Sequence, residues 1–201
     1  MKVTLENLSK RYLYDWIIRE MSCTFESNEV VGINGINGSG KSTLIKLISG
    51  FLSPSEGSII YELNDKIIDR SDVYQYISMA APYTDLIQEY DAEEVFQFHF
   101  RFKKSRSPLD VNSFLEKVNL KGNKGKQIQY YSSGMKQRLQ LAIALLSDSR
   151  LLLLDEPTSY LDAENKAWFY ELLKNELSDR TIIIASNDME DFELCSRVIT
   201  L

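Results

Sequence analysis

Cysteines and long apolar runs are scarce in this sequence, and each shortage excludes a class of protein. The two cysteines, Cys23 and Cys195, are too few and too far apart in the chain for a zinc site, so we expect buried free thiols in a reducing compartment. No stretch approaches the ~18 consecutive apolar residues of a membrane-spanning helix, and residues 1–4 lack the apolar run of a signal peptide. These absences predict a soluble protein of the cytosol.

Positive charge is also in deficit. Lysine and arginine number 23 against 29 aspartates and glutamates, and the formal charge of -6 argues against a nucleic-acid backbone as the main partner. Apolar residues make up 44% of the 201 residues, which is enough for one large core. At this length we expect one core with an inserted subdomain.

The most informative motif in the sequence is a glycine-rich stretch at residues 35–43. It reads G-I-N-G-S-G-K-S-T and fits the phosphate-loop pattern G-x-x-x-x-G-K-[ST]. Its glycines can adopt positive φ and turn backbone N–H groups inward as an anion-binding nest. Lys41 is expected to reach the β- and γ-phosphates, and Ser42 to offer its hydroxyl to Mg²⁺. The residues predicted to cradle the phosphates are Gly35, Asn37, Gly38, Ser39, Gly40, Lys41, Ser42 and Thr43.

The loop requires a strand before it and a helix after it, and the pattern of the chain supplies both. Elsewhere strands and helices alternate, which predicts a mostly parallel sheet covered on both faces. Strands are predicted at 3–10, 17–25, 29–33, 58–62, 66–68, 76–79, 151–154, 181–185 and 197–201. Helices are predicted at 41–50, from 91 onward, and at 111–118, 132–146, 163–177 and 189–194.

Two carboxylates end the most apolar of these strands, residues 151–154. A buried parallel strand that delivers acids at its carboxyl end is where open α/β sheets place their ligand chemistry. We expect Asp155 to hold Mg²⁺ and Glu156 to act as a base for water. The helix that begins at Ser132-Ser133-Gly134 has a make-up that can bind an anion, although an ordinary N-cap explains the same residues.

Two aromatic features leave alternatives open. Tyr12, in the turn between the first two strands, is either a platform for a nucleotide base or an ordinary packing residue. Between residues 96 and 102, phenylalanines alternate with polar residues, which is a strand signal by period, yet 91–94 resembles a capping box that starts a helix. As a helix, this segment is apolar on two sides, so that Phe98 and Phe102 either contact a partner or pack internally.

Read together, these motifs resemble the nucleotide-binding subunit of an ATP-binding cassette (ABC) transporter over nearly the whole chain. The order carries the likeness: the phosphate loop, then Y-S-S-G-M-K-Q-R at 131–138 as the signature, L-L-L-L-D-E at 151–156, and P-T-S-Y-L-D at 157–162 as the D-loop. Tyr12 stands at the adenine-stacking position and Asn187 at the switch position.

The resemblance implies an α/β P-loop NTPase with a mostly parallel central sheet, an antiparallel β edge subdomain and an inserted α-helical subdomain. The whole chain, 1–201, is then a single ATP-binding domain with its core at 1–82 and 127–201 and its insertion at about 83–126. The implied ligands are ATP and Mg²⁺. The implied partners are a second copy of the chain, or a homologous subunit, and a separate transmembrane permease at the cytoplasmic face of the membrane.

The resemblance also implies a mechanism. Two subunits close head to tail, so that Ser132 and Gly134 of one donate to the γ-phosphate of the ATP bound by the other. Catalysis then falls to Glu156, Lys41 and Asn187, and metal binding to Ser42 and Asp155. The inserted helical region passes the movement to the permease.

Three departures from the family pattern bear on turnover. The signature has Tyr131, Ser133 and Met135 where the family has leucine, glycine and glutamine. Pro82 stands near the position of the glutamine that reaches Mg²⁺, and Asn187 replaces the switch histidine; the only histidine, His99, lies in the insertion. Two hypotheses follow: an ATPase that drives a transporter, with slow turnover, or an ATP-gated dimerisation switch that hydrolyses little. A soluble relative in DNA repair or translation fits less well, because the chain is acidic and lacks a long coiled-coil insertion.

Overall fold

The computed structural model describes every residue from Met1 to Leu201, and the chain divides into two compact units. The first unit consists of Met1–Met79, Ser149–Glu156 and Leu177–Leu201, and the second of Ala80–Asp148 and Pro157–Glu176. Residues 83–126 thus share a unit with two later segments, and their assignment as an insertion stays a prediction. No helix has both the length and the apolar character needed to cross a bilayer.

Nine strands form two sheets. They are β1 (Lys2–Tyr12), β2 (Asp15–Phe25), β3 (Val30–Asn34), β4 (Glu56–Leu63), β5 (Lys66–Ile68), β6 (Ile77–Ala80), β7 (Leu151–Asp155), β8 (Thr181–Ser186) and β9 (Arg197–Thr200). One sheet has the order β2-β1-β4-β5 and is antiparallel at each pairing. The other has the order β6-β7-β8-β3-β9, and β7, β8, β3 and β9 run parallel. The predicted α/β class, with a parallel sheet and a separate antiparallel one, is confirmed.

The parallel sheet is built on strands that are buried along their whole length. Every residue of β7 and of β8 is buried, which explains why each strand is a continuous apolar run rather than an alternating one. In the register between them, Asp155 of β7 lies opposite Ala185, and Ser186 of β8 lies opposite Asn34 of β3. The carboxyl ends of these three strands therefore meet at one edge of the sheet.

A single apolar core joins the two sheets of the first unit. Helix α1 (Lys41–Ile48) packs on β7 and β8 and buries Leu44, Ile45, Leu47 and Ile48 completely. Residues of β1, β3, β4 and β7 belong to the same cluster, including Val3, Ile33, Tyr61 and Leu153. The helix that starts at the phosphate loop is thus anchored along one face, and its N-terminal turn is held in a fixed place.

Four helices make up most of the second unit: α2 (Ala92–Phe102), α3 (Val111–Lys117), α4 (Ser133–Leu146) and α5 (Ala163–Asn175). The 96–102 segment is helical. Asp91 Oδ1 accepts a hydrogen bond from the Glu94 N–H at 2.9 Å, and Glu94 Oε2 accepts one from the Asp91 N–H at 2.9 Å, which is the predicted capping box. Phe96 and Phe100 pack against Phe114 of α3. The helix start therefore outweighs the alternating pattern.

The only histidine is a structural residue of the second unit. His99 Nε2 lies 2.7 Å from the Ser147 hydroxyl, which in turn donates to the Ile143 carbonyl at 2.6 Å. Burial, and secondarily the charge of Lys103, lowers the pKa of His99 to about 4. The imidazole is therefore neutral at pH 7 and links α2 to the end of α4.

The two cysteines are free, as predicted, but both are half-buried rather than fully buried. Burial raises the pKa of the Cys23 thiol, while the nearby Arg197 acts in the opposite direction. Burial, together with the charge of Asp191, raises the pKa of the Cys195 thiol to about 11. Both side chains are thus almost entirely in the thiol form at neutral pH.

Candidate nucleotide-binding site

The phosphate loop has the backbone that an anion nest requires. Gly38 and Gly40 adopt φ values of 88° and 104°, a region that disfavours residues with a Cβ. A Cβ on Gly35 would approach the Ser39 Oγ to 2.4 Å, so this position requires glycine for space. No side chain caps the N-terminus of α1, which leaves its first N–H groups for an external acceptor. A backbone of this kind can bind an anion such as a phosphate group.

Lys41 is held at the centre of the loop. Its Nζ donates to the Gly35 carbonyl at 2.6 Å and to the Ile36 carbonyl at 3.4 Å. The same Nζ lies 3.2 Å from Glu156 Oε1, with the two side chains 5% and 20% exposed. Because this ion pair is largely shielded from water, salt screens it less than a surface pair, and it joins the loop to the end of β7.

The two carboxylates at the end of β7 have different surroundings. Asp155 is completely buried, whereas Glu156 is partly exposed. The Glu156 N–H donates to the Ala185 carbonyl at 2.7 Å, and its φ of 47° turns the side chain out of the strand direction. A non-glycine residue with positive φ at this point re-aims its carboxylate toward the phosphate loop, where it meets Lys41.

Asn187 joins the same cluster from the end of β8. Its side-chain Nδ2 donates to Asn37 Oδ1 at 3.3 Å, and its N–H donates to Glu156 Oε2 at 3.4 Å. Four predicted site residues from three separate segments, Asn37, Lys41, Glu156 and Asn187, are therefore linked by direct contacts. The amide of Asn187 can donate a hydrogen bond to a phosphate oxygen but cannot carry a proton.

An open cavity of about 280 Å³ lies over the loop. Tyr12, Ile17 and Glu156 line it together with residues Asn37, Gly38, Gly40, Lys41, Ser42 and Thr43. Tyr12 is 46% exposed, and Lys10 Nζ lies 5.3 Å from the centroid of its ring. Ile17 was not predicted: it stands at the start of β2, and only the tight hairpin at residues 13–14 brings it back beside the loop.

Two further residues near the site were also not predicted. Ser186, the last residue of β8, has its Oγ 3.4 Å from Glu156 Oε2 and 2.6 Å from Asp191 Oδ2. Both Ser186 and Asp191 are buried. The sequence did contain a signal for Ser186: it is a hydroxyl residue at the carboxyl end of a predicted parallel strand, and Asp155 lies at the same edge of the sheet.

Ser132, Gly134 and Pro82 belong to the second unit. Ser132 is the N-cap of α4 and accepts a hydrogen bond from the Met135 N–H at 3.2 Å, as the capping interpretation expects. Ser132 and Ser133 are both exposed, and a Cβ on Gly134 would lie 3.2 Å from the Tyr160 carbonyl. The helix start is thus both capped and open to solvent.

The donor set fits a nucleotide with a bound divalent cation. The loop supplies N–H groups and a buried cation for phosphates, and Asp155 supplies a buried carboxylate at the end of β7. The chain holds no group of three or more histidine, cysteine or acidic side chains that could hold a metal ion by itself. One carboxylate and one hydroxyl, completed by phosphate oxygens and water, is the arrangement that Mg²⁺ commonly uses.

Comparison with known proteins points in one direction. A family model described as ABC transporter matches residues 18–159. The uncharacterized ABC transporter ATP-binding protein YybJ of Bacillus subtilis is 32% identical over 94% of this chain and 87% of its own length. The Nod factor export ATP-binding protein I of Rhizobium leguminosarum bv. viciae is 32% identical over 99% of this chain, which spans 66% of that protein.

Solved structures agree at the level of the fold. The ATP-binding cassette MJ0796, solved as a dimer in a post-hydrolysis state bound to ADP and Pi, superposes with a TM-score of 0.84 at 23% identity. The alignment covers 99% of this chain and 94% of that one. A putative ABC transporter ATP-binding protein from Pyrococcus furiosus gives a TM-score of 0.81 at 24% identity, over 100% and 98% of the two chains.

Proposed function

Because the chain belongs to the ABC transporter family, we propose that it is the ATP-binding and ATP-hydrolysing subunit of a membrane transporter, and that ATP drives two copies together head to tail. The observation that carries this proposal is the 3.2 Å approach of Lys41 Nζ to Glu156 Oε1 above the glycine loop. This contact places two groups side by side: Lys41, a cation that can bind phosphate, and Glu156, a carboxylate that can accept a proton from water.

In this proposal each residue of the site has one task. The N–H groups of the loop and Lys41 bind the phosphates, Tyr12 stacks on the adenine with Ile17 beside it, and Glu156 orients and deprotonates water. Ser42 and Asp155 hold Mg²⁺, which supplies neutralisation of the charge on the phosphates when it is bound. Lys41 then exchanges the Glu156 carboxylate for phosphate oxygens.

Closure depends on a second copy. Ser132 and Gly134 of that copy are proposed to donate to the γ-phosphate, with the N-terminal dipole of α4 behind them. The exposure of Ser132 and Ser133 and the 14-residue length of α4 support this role. Because the γ-phosphate bridges the copies, hydrolysis removes the link that holds them together.

The rival function is an ATP-gated dimerisation switch with little hydrolysis. It is favoured by Pro82, which offers no side-chain ligand, and by Asn187, which cannot become charged. Glu156 favours the ATPase, because a switch that does not hydrolyse ATP has no use for a carboxylate turned toward the loop.

The purified chain with ATP and Mg²⁺ tests both functions in one experiment. We expect light scattering to show a mass twice that of the chain with ATP and a single-chain mass with ADP, and phosphate to be released at a steady rate. Dimers without phosphate release would establish the switch instead of the ATPase. A chain that stays monomeric with ATP under every condition would overturn the head-to-tail mechanism.

We also propose that an aromatic patch, formed by Phe98 and Phe102 of α2 and by Tyr90 just before that helix, contacts the permease. Phe98 and Phe102 are 47% and 77% exposed, their ring centroids are 5.3 Å apart, and Tyr90 meets Phe98 edge-on at 5.9 Å. Arg101 and Lys104 line the same open cavity of about 1050 Å³. Aromatic rings with a basic rim fit a cytoplasmic loop that carries apolar and acidic side chains.

Phe102→Gln is expected to release the protein from membranes. Expressed in its native cells, the variant should show a several-fold smaller fraction in the membrane pellet, because the most exposed ring of the aromatic patch is lost. Phe51→Gln is the matched control, since Phe51 is 75% exposed but lies in the first unit. Equal pelleting of wild type and the Phe102 variant, with ATP-induced dimers unchanged, would contradict the assignment of this patch.

A further inference from the structure

A series of buried polar groups connects to Glu156 through short interatomic distances. Ser186 ends β8 and is completely buried, and Asp191 lies in the short helical turn Met189–Phe192 and is 2% exposed. Ser186 Oγ is 2.6 Å from Asp191 Oδ2 and 3.4 Å from Glu156 Oε2, and it accepts a hydrogen bond from the Asp188 N–H at 3.0 Å. All these groups belong to the first unit.

The single proton of the Ser186 hydroxyl decides the direction of the hydrogen bonds among these polar groups. A hydroxyl has one proton to donate and two lone pairs to accept with, so it cannot donate to both carboxylates at once. Asp191 at 2.6 Å is the closer acceptor, in the range of a charge-assisted hydrogen bond, whereas Glu156 is 3.4 Å away. With the proton on the Asp191 side and the Asp188 N–H on one lone pair, the second lone pair remains for Glu156.

The burial of Asp191 supports this direction of the hydrogen bond. A carboxylate removed from water is costly unless donors surround it, and Ser186 provides a short one. Asp191 therefore fixes the rotation of the Ser186 hydroxyl.

We propose that Ser186, held by Asp191, is a positioning residue for hydrolysis that acts through Glu156; this inference rests on the proposed ATPase function. While Glu156 is ionised, the hydroxyl oxygen sets the limit of its movement. Once Glu156 carries a proton, the oxygen accepts a hydrogen bond from it. Ser186 thereby stabilises the acid that forms during the reaction.

The proposed step is the attack of water on the γ-phosphorus of ATP. The water O–H bond breaks, its proton goes to Glu156 Oε2, and the water oxygen forms a bond to the γ-phosphorus. The bond from the γ-phosphorus to the bridging oxygen breaks, and its electron pair leaves with ADP. Rotation about the C–O bond of Glu156 then turns the new proton to the lone pair of Ser186, and the 3.4 Å contact shortens to a hydrogen bond. Ser186 itself needs no rearrangement, because Asp191 has already oriented its hydroxyl.

Ser186→Ala is expected to lower kcat for ATP hydrolysis about tenfold, with KM within about twofold of wild type. This loss is smaller than the one expected when the base Glu156 is itself replaced. Ser186→Thr, which restores the hydroxyl, should recover most of the rate. ATP-dependent dimers should accumulate in the alanine variant and persist longer in light scattering, because their γ-phosphate is removed more slowly. A wild-type kcat in Ser186→Ala would overturn the proposal.

A double-variant comparison separates positioning from a merely structural role. If Ser186 acts through Glu156, Ser186→Ala should lower the rate in wild type but have no further effect in Glu156→Gln protein. Additive losses would overturn the proposal. Thermal unfolding without nucleotide controls for the fold, and Asp191→Asn, of the same shape, provides a second variant with the same expected dependence on Glu156 should the alanine protein be unfolded.

The same data distinguish this inference from the function that it rests on. If wild type and Glu156→Gln release phosphate at equal rates, the ATPase function itself fails. If Glu156→Gln is inactive while Ser186→Ala and Asp191→Asn are as fast as wild type, the ATPase stands and only the role of Ser186 fails.

Discussion

Glu156→Gln is expected to reduce phosphate release by a factor of about 100 to 1000 while ATP still brings two copies together, because glutamine fills the same space but cannot accept a proton from water. The contacts of Glu156 explain the persistence of binding. Its carboxylate pairs with Lys41 at 3.2 Å before nucleotide arrives, and the neutral amide competes less for that cation. ATP should therefore bind the variant at least as well as wild type.

The measurement is phosphate release in single turnover, with light scattering on the same samples. Glu171→Gln serves as the matched control, since Glu171 is an exposed acid on α5 and its change should leave the rate as it is. Equal rates in wild type and the Glu156 variant would remove the ATPase function. Loss of dimers in the Glu156 variant would instead show that this carboxylate is needed for closure.

Lys41→Ala is expected to abolish ATP-induced dimerisation at an ATP concentration that only just saturates the wild-type protein. The side chain is 5% exposed and its Nζ is aimed into the loop by the carbonyls of Gly35 and Ile36. Losing one charge-assisted hydrogen bond to phosphate costs about 1.5–3 kcal/mol, or roughly a 10- to 100-fold loss of affinity. Alanine also leaves Glu156 facing the phosphates without a cation between them, which adds repulsion.

Nucleotide affinity by titration calorimetry, followed by light scattering with ATP, tests this expectation. Lys66→Ala is the control, because Lys66 is an exposed lysine on the edge strand β5. This substitution removes the same charge from the chain as Lys41→Ala does. ATP-dependent dimers in the Lys41 variant at wild-type nucleotide concentration would show that the glycine loop is not the phosphate site.

Local pattern predicted most of the fold. The apolar runs of β7 and β8 identified the buried parallel strands because strands covered on both faces need no polar positions. The 96–102 segment was ambiguous, since alternating phenylalanines favoured a strand while Asp91 and Glu94 favoured a helix. The helix prevails because the two capping bonds fix its first turn, and the chain accepts exposure of Phe98 and Phe102 in return.

What the sequence could not predict depends on how distant segments meet. The position of Ile17 at the cavity follows from a two-residue turn, and the contact of Ser186 with Glu156 follows from the register of β8 beside β7. The grouping of Pro157–Glu176 with Ala80–Asp148 in one unit likewise follows from packing between distant segments. For the candidate site, the structure brings Asn37, Lys41, Glu156 and Asn187 together, and their roles stay predictions. The groups that orient them belong to no motif.

The protonated, half-buried state of Cys23 and Cys195 makes the chain suitable for chemical labelling. Maleimides react with the thiolate, so a cysteine introduced at an exposed position such as Phe51 would be modified well before either natural one. A fluorophore or spin label placed there could report on the approach of a second copy without prior removal of the native sulfur atoms.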